Sequence, residues 1–212
     1  MSNDLTIKAF TLGEWMTNCY IVAAPSGACW IVDAGFNPRM MLDYVREQSL
    51  SPQMIILTHA HVDHIGGLDQ IHRAHPEAPI LIHRAEREFL TDPMLNLSAV
   101  LASEVVAPEP TRLLEAGESL ELAGHAFEVR HTPGHSPGGI TLYEPSEKVA
   151  LVGDALFAGG IGRTDFPTAD HDTLIQAIKR ELLSLPDDTR VLPGHGPATT
   201  IGDERATNPF LR

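Results

Sequence analysis

The N-terminal part of the chain alternates between short apolar runs and polar breaks that contain glycine or proline. The runs are rich in Ile, Val, Thr and aromatic residues, a composition typical of β-strands. They predict three short strands, at residues 5–12, 19–24 and 28–33. Because Gly13 and the Pro-Ser-Gly turn at residues 25–27 separate them, we expect an antiparallel start to the fold.

The rest of the chain alternates between helical spacing and short apolar runs. Helices are predicted at residues 38–49, 68–75 and 170–183, and just after residue 83 with Arg84, Glu86, Arg87 and Glu88 on the solvent side. Strands are predicted at residues 54–57, 79–83, 119–122, 126–130, 140–143, 148–152 and 190–192. This periodicity alone supports a mixed α/β or α+β domain.

Residues 91–110 lack clear periodicity because three prolines interrupt their apolar positions. A stretch of that length inside a compact domain is often a lid or a binding loop. Four apolar side chains in and before it either wall a substrate pocket or cover the core: Phe89, Met94, Leu95 and Leu97.

Length and charge narrow the class of protein. A chain of 212 residues suits a single domain over residues 1–212, and 43% hydrophobic with 20% charged residues is an ordinary globular composition. A net charge of −13 argues against a nucleic-acid partner, which favours a basic face. No apolar run is long enough to span a membrane, and residues 1–5 lack the features of a secretory signal, so we expect a cytoplasmic protein with no membrane partner.

The two cysteines are predicted to be free. A hairpin turn at residues 25–27 would place Cys29 opposite about residue 23, so Cys19 would lie about 13 Å further along the strand. That distance is beyond disulfide reach. Free buried thiols also fit a reducing compartment.

The segment at residues 58–64, Thr-His-Ala-His-Val-Asp-His, carries the densest chemistry in the chain. Imidazole and carboxylate groups suit zinc, iron or manganese. His59 and His61 lie two residues apart, so on an extended segment they point the same way and can reach one ion. Asp63 and His64 can turn towards a second ion beside it. We refer to residues 58–64 as the metal loop.

Three further candidate ligands follow strands or sharp turns. His135 lies on a turn rich in glycine and proline, Asp154 follows Gly153 at a strand end, and His195 is flanked by glycines. Asp33 either caps a turn or supports a ligand, and His83 is a weaker candidate for the pocket. Four other histidines are expected to be structural or solvated: His72, His75, His131 and His171.

The pattern HxHxDH at residues 59–64 resembles the metal loop of the metallo-β-lactamase superfamily, and the later ligands follow in that family's order. The resemblance implies an α+β fold, the αββα sandwich of two mixed sheets face to face with helices outside. It places His59, His61 and His135 on one ion and Asp63, His64 and His195 on a second, with Asp154 bridging. The implied cofactors are two divalent ions, zinc, iron or manganese. A bridging hydroxide between them would be the nucleophile, with Asp63 and Asp154 as the catalytic carboxylates.

Within that superfamily the chain is most similar to glyoxalase II, the hydroxyacylglutathione hydrolases, in their short bacterial form. The similarity lies in the segments THAHVDHIGG, TPGHSPGG, VGDALFAGGIGRTDFP, PGHGP and GDERATNPFL. It implies hydrolysis of a small-molecule thioester, S-lactoylglutathione or a related 2-hydroxyacyl glutathione thioester, as in methylglyoxal detoxification. Arg163 would bind the glutathione carboxylate, and Gly162 would let the backbone approach the substrate. The alternative for Arg163 is an ion pair with Asp165.

Some features depart from glyoxalase II or point elsewhere. The long form carries a C-terminal helical domain, whereas this chain ends 17 residues after His195, which puts the glutathione contacts in doubt. Persulfide dioxygenases share a similar GRTDF loop but use one iron, so oxidation of glutathione persulfide is the alternative function. A metal-dependent scaffold without turnover is a third hypothesis. His61 argues against a flavodiiron centre, which has Glu at that position, and secreted β-lactamases often use a Cys ligand.

Overall fold

The structure is a computed structural model and describes residues 4–212. Contacts within the chain divide it into two compact units. The first contains residues up to Leu114 together with Leu122–Gly124, and the second contains Glu115–Glu121 and His125–Arg212. A single domain over residues 1–212 therefore stays a prediction.

The first unit contains a six-stranded mixed sheet with the strands in chain order, β1 to β6. The strands are β1 (Thr6–Leu12), β2 (Thr17–Ala23), β3 (Ala28–Val32), β4 (Ser51–Ile56), β5 (Ile80–His83) and β6 (Arg112–Leu114). The helices are α1 (Arg39–Glu47), α2 (Val62–Ile65), α3 (Leu68–Ala74) and α4 (Ser98–Leu101). Strands β1 to β3 pair antiparallel, as predicted, and β3 to β6 pair parallel.

The register of the first hairpins confirms the prediction for the cysteines. Ala23 lies opposite Cys29 across β2 and β3, and both cysteines are free and buried. Burial raises the pKa of the Cys29 thiol to about 12. Both thiols are therefore protonated at neutral pH, since burial also raises the pKa of Cys19 well above its usual value.

The segment after β5 corrects one prediction. Instead of one amphipathic helix, two 3₁₀ turns cover Arg84–Glu86 and Glu88–Leu90. Glu86, expected on the solvent side, is fully buried. The physical reason is a hydrogen bond, since the Glu86 carboxylate accepts the N–H of Ala60 at 3.1 Å and so replaces the lost hydration.

The apolar side chains around residues 89–97 mostly cover the core of the first unit. Phe89 belongs to that core, Leu95 packs against it, and Leu97 is buried. Met94 is exposed and contributes little to it. The core alternative therefore describes three of the four side chains.

The second unit contains another six-stranded mixed sheet, in the order β14-β13-β10-β9-β8-β7. Its strands are β7 (Ser119–Leu122), β8 (His125–His131), β9 (Ile140–Glu144), β10 (Val149–Gly153), β13 (Arg190–Pro193) and β14 (Thr199–Thr200). A separate hairpin pairs β11 (Leu156–Phe157) with β12 (Gly160–Ile161). The helices are α5 (His171–Ala177), continued by a wider helical turn over Ile178–Leu182, and α6 (Ile201–Thr207).

Helix α5 begins where the sequence indicated. Asp170 caps it, because its carboxylate accepts the N–H of Thr173 at 2.7 Å. That contact holds the pKa of Asp170 below its usual value. Leu174, Ile178 and Leu182 are buried in the core of the second unit, as predicted from their spacing.

Two strands of the second unit deliver candidate ligands at one edge. Strands β10 and β13 pair in parallel, so their carboxyl ends lie at the same edge of the sheet. Asp154 follows β10 directly, and His195 lies two residues after β13.

In the described part of the chain no helix is both long and apolar enough to cross a membrane.

Candidate metal centre

The metal loop follows β4 and brings three imidazoles together within the first unit. The ring centroid of His59 lies 4.8 Å from that of His61 and 4.1 Å from that of His64. All three side chains are buried. His61 ends the extended part of the loop and precedes α2, which carries Asp63 and His64. The change from extended to helical backbone thus separates the two pairs of candidate ligands, as expected.

Asp33 holds the metal loop in place through three hydrogen bonds. Its carboxylate accepts the backbone N–H and the hydroxyl of Thr58, both at 2.8 Å. Its Oδ2 also lies 2.9 Å from Nδ1 of His64. An ionised carboxylate has no proton to donate, so the proton in this hydrogen bond lies on Nδ1 of His64. Nε2 is then the nitrogen available to a metal. Of the two roles expected for Asp33, this contact with a candidate ligand favours the support of a ligand.

Asp63 is oriented by a residue that the sequence did not indicate. The hydroxyl of Thr17, at the start of β2, donates to Oδ2 of Asp63 at 2.8 Å. The same oxygen lies 3.5 Å from Nε2 of His64. One carboxylate oxygen and one imidazole nitrogen therefore lie at the separation that two ligands of one ion require.

Glu86 is a second residue that sequence reasoning missed. Its carboxylate binds the N–H of Ala60, between the two histidines His59 and His61. The sequence carries no clear signal for this role, because Glu86 stands among other charged residues in a segment without strong periodicity. The fully buried carboxylate fixes the backbone from which both imidazoles project.

In the second unit, one carboxylate oxygen lies close to two imidazoles. Oδ2 of Asp154 is 3.5 Å from Nε2 of His135 and 3.4 Å from Nε2 of His195. Nδ1 of His135 lies 2.8 Å from the carbonyl oxygen of Arg163 and donates to it. That hydrogen bond leaves Nε2 of His135 as the ligand atom. A carboxylate between two imidazoles has the position that a bridging ligand needs.

Gly162 is required by packing against these ligands. A Cβ atom at this position would lie 1.9 Å from the carbonyl oxygen of Asp154 and 3.0 Å from Cβ of His135. No side chain fits there without moving the backbone of Asp154. The glycine-rich loop at residues 159–165, which we call the glycine loop, therefore lies directly against two candidate metal ligands.

Arg163 forms the ion pair with Asp165 that the sequence left open as an alternative. Nε and Nη2 of Arg163 donate to the two carboxylate oxygens at 2.9 and 2.8 Å, and the guanidinium lies 4.4 Å from the ring centre of Phe166. The pair raises the pKa of Arg163 and lowers that of Asp165. Both side chains are more than 60% exposed, so the guanidinium is accessible to an anionic ligand.

Two of the other histidines, His83 and His131, make structural contacts. Nδ1 of His83 accepts the N–H of Ala85, and Nε2 of His131 lies 2.9 Å from the carbonyl oxygen of Pro137. His171 opens α5 and is exposed. His72 and His75 are half-buried rather than solvated, and burial lowers the pKa of His75.

The donor set in each unit fits divalent metals. It consists of imidazole nitrogens and carboxylate oxygens, the ligands that zinc, iron and manganese accept. Neighbouring donor atoms lie 3.4 to 3.5 Å apart. Two of the imidazoles are oriented through Nδ1 by a carboxylate or a backbone carbonyl, the arrangement common around metal-bound histidine.

Comparison with known proteins identifies relatives over nearly the whole chain. The family model described as "Metallo-beta-lactamase superfamily" matches residues 12–195. The probable metallo-hydrolase YqgX of Bacillus subtilis is 39% identical over 205 residues, 96% of either chain. The hydroxyacylglutathione hydrolase GloC of Haemophilus influenzae is 36% identical over 209 residues, 98% of either chain.

Two solved structures with the same fold have a sequence identity to this chain close to that of these relatives. The B3 metallo-β-lactamase BLEG-1 is 39% identical, with a TM-score of 0.93 over 97% of this chain and 99% of that one. TTHA1623 in a di-iron-bound form is 40% identical, with a TM-score of 0.86 over 96% of this chain and 100% of that one. The expected α+β fold with two mixed sheets is thus confirmed.

Proposed function

The chain belongs to the metallo-β-lactamase superfamily, a family of metallo-hydrolases, and from this premise we propose that it hydrolyses thioesters with two bound divalent metal ions. The observation that carries the proposal is the donor geometry. Each unit places imidazole and carboxylate donors at separations that suit shared ions. Zinc is the first choice, with iron and manganese as alternatives; the di-iron form of TTHA1623 supports iron.

The proposed ligand set is that of the family, carried over residue by residue. In that set one ion would be held by His59, His61 and His135 and the other by Asp63, His64 and His195, with Asp154 shared between them. When bound, the two ions would supply a water of lowered pKa as nucleophile and would polarise the substrate carbonyl. Asp63 and Asp154 would be the catalytic carboxylates of this set.

The residues around the ligands hold their geometry before substrate arrives. Asp33 accepts from Nδ1 of His64 and the carbonyl of Arg163 accepts from Nδ1 of His135, so each ring turns Nε2 towards the proposed ion. Glu86 fixes the backbone between His59 and His61. Ligands fixed in this way need no rearrangement during the reaction, which is the condition for electrostatic catalysis.

We propose 2-hydroxyacyl glutathione thioesters as the substrate class, S-lactoylglutathione first. Hydrolysis breaks the C–S bond and gives the hydroxy acid and free glutathione. The similarity to GloC over 98% of both chains supports this choice. The exposed guanidinium of Arg163 is suited to a substrate carboxylate, in exchange for Asp165. Gly162 keeps the glycine loop free of side-chain bulk next to Asp154.

The proposal includes a cytoplasmic location, as part of methylglyoxal detoxification. The two free buried thiols fit a reducing compartment. The net charge of −13 makes a nucleic-acid partner unfavourable. The substrate is therefore a small molecule rather than a polymer of phosphates.

A second candidate function is hydrolysis of β-lactams, which is favoured by the 39% identity to BLEG-1. Both reactions are attacks on a carbonyl, so they need the same ligand geometry. The GIGRTDFP segment and the similarity to GloC favour the thioester.

The test is one panel of assays on metal-free protein reconstituted with zinc, iron or manganese. We expect cleavage of S-lactoylglutathione, little cleavage of a cephalosporin, and no oxygen consumption with glutathione persulfide. His61→Ala and Asp154→Ala should abolish the hydrolysis, whereas Glu47→Ala, at an exposed carboxylate on α1, should leave it unchanged. Fully metal-loaded protein without thioester cleavage refutes the proposal, and oxygen consumption would establish a persulfide dioxygenase instead.

A further inference from the structure

The C-terminal segment Gly-Asp-Glu-Arg-Ala-Thr-Asn-Pro-Phe-Leu contains two buried polar residues that the proposed reaction does not use. Glu204 lies on α6 and is 2% exposed, and Asn208 directly after α6 is fully buried. A charged and an amide side chain at such depth need hydrogen-bond partners to offset lost hydration. Their partners show what these residues hold.

Glu204 connects α6 to the glycine loop. Its Oε2 accepts the N–H of Gly159 at 2.9 Å and an N–H of Asn208 at 2.8 Å. Its Oε1 accepts the hydroxyl of Thr199 at 2.6 Å. Both carboxylate oxygens are thus occupied, and one of them binds the loop backbone.

Asn208 makes the second connection to the same loop. Its Nδ2 donates to the carbonyl oxygen of Gly160 at 3.0 Å as well as to Glu204. Its Oδ1 accepts the N–H of Phe210 at 3.0 Å. Only an amide can donate twice and accept at once in this position, since a carboxylate has no N–H group. The N–H of Gly159 and the carbonyl oxygen of Gly160 are therefore held by one pair of side chains.

The glycine loop transmits this constraint to a candidate metal ligand. Three residues after Gly160, the carbonyl oxygen of Arg163 accepts the Nδ1 proton of His135 at 2.8 Å. Between them, Gly162 packs against the backbone of Asp154 without room for a Cβ atom. A shift of the loop would move the acceptor that orients the imidazole of His135.

We propose that Glu204 and Asn208 are positioning residues, which hold the glycine loop so that Arg163 orients His135 towards its metal ion. The proposal rests on the proposed metal centre and adds to it a role for the C-terminal segment. It also gives a function to the buried carboxylate of α6, where an apolar residue would pack without needing partners.

The experiment measures zinc affinity by competition with a chelator, beside thermal stability and the kinetics of thioester hydrolysis. Glu204→Ala should lower the affinity for the ion held with His135 about tenfold. It should change the affinity for the other ion by less than about twofold. The value of kcat should fall with that affinity at limiting zinc and recover at saturating zinc.

Two control variants separate positioning from stability. In Glu204→Gln the amide oxygen can still accept from Gly159 and Asn208, and its N–H₂ group can donate to Thr199, so zinc affinity should stay within about twofold of the original. Asp203→Ala removes an exposed carboxylate from the same helix, one that accepts the hydroxyl of Thr200. It should leave both zinc affinities unchanged even if the unfolding temperature falls.

A measurement on the unaltered protein covers the case in which Glu204→Ala does not fold. Coupling between two sites is reciprocal, so zinc should slow hydrogen exchange at the N–H of Gly159 by about tenfold. Exchange that zinc leaves unchanged overturns the inference, and so does a folded Glu204→Ala protein with unaltered zinc affinity. Absence of zinc binding by the unaltered protein would instead refute the proposed metal centre itself.

Discussion

Oδ2 of Asp33 lies 2.9 Å from Nδ1 of His64, and both side chains are almost completely buried. The two residues are 31 positions apart, and the contact ties the end of β3 to α2. The same carboxylate holds Thr58 at the start of the metal loop. One side chain therefore determines both the position of the loop and the ring nitrogen that His64 offers to a metal.

Replacement of that carboxylate should weaken the binding of one metal ion and not of the other. In Asp33→Asn the amide has one acceptor oxygen where the carboxylate has two, so its N–H₂ group would face either the backbone N–H of Thr58 or the Nδ1 proton of His64. We expect the affinity of the ion held with His64 to fall by about 10- to 100-fold, the usual effect of losing such a partner. Competition with a chelator gives this affinity directly. Asp43→Asn, at a half-exposed carboxylate in α1, is the control, and equal effects of the two substitutions would contradict the prediction.

Two glycines of the glycine loop should respond differently to alanine. In Gly162→Ala the new Cβ would overlap the carbonyl oxygen of Asp154, so we expect loss of hydrolysis and a lower unfolding temperature. In Gly160→Ala the nearest atom lies 3.8 Å away, an ordinary contact, so activity should stay within about twofold. Thermal unfolding and the thioester assay on both variants check this. Similar activity in the two would mean that the glycine loop does not pack against Asp154 in solution.

Arg163 should affect substrate binding rather than the chemical step. Arg163→Ala should raise KM for S-lactoylglutathione about tenfold, the loss expected for one charge-assisted hydrogen-bonded contact, with kcat nearly unchanged. Asp165→Asn frees the guanidinium from its ion pair and should lower KM. The control is a thioester of similar size without carboxylates, for which neither substitution should change KM. A fall of kcat in Arg163→Ala with both substrates would contradict a role limited to binding.

The buried thiols should make stability depend on alkaline pH. The pKa of Cys29 is raised to about 12 in the folded protein from an ordinary value of 9.0, so above pH 9 the unfolded chain loses a proton that the folded chain keeps. Fewer protons on the unfolded state mean that stability falls as pH rises from about 9 towards 12. Urea unfolding at several pH values in this range should show a smaller decline for Cys29→Ala than for the original protein. Equal declines would contradict the shift.

Much of the fold could be predicted, and the candidate ligands could be singled out, because the signals are local. The apolar strands and the Pro-Ser-Gly turn determine the first hairpins, and the register that places Ala23 opposite Cys29 follows from turn geometry. The candidate ligands could be singled out because imidazoles and carboxylates rarely occur so close together beside glycine turns. Aspartate at position 170 likewise indicates the start of α5.

The contacts that support the ligands could not be predicted, because they depend on which distant segments meet. Glu86 stands in a charged segment that looks solvent-facing, and only the tertiary fold brings it to Ala60, 26 residues away. Thr17 reaches Asp63 across 46 residues. Helix α6 was missed although Thr200 and Asp203 form a local capping signal that indicates its start. The roles of Glu204 and Asn208 depend on that helix.

The central claim is that two metal ions on this ligand set together activate the nucleophile for thioester hydrolysis. The most direct measurement is a titration of zinc into metal-free protein, with bound metal and cleavage of S-lactoylglutathione recorded on the same samples. We predict two ions bound per chain, activity that reaches its plateau at the second equivalent, and loss of that activity in Asp154→Ala. Two bound ions without cleavage, or full activity in Asp154→Ala, would contradict the claim.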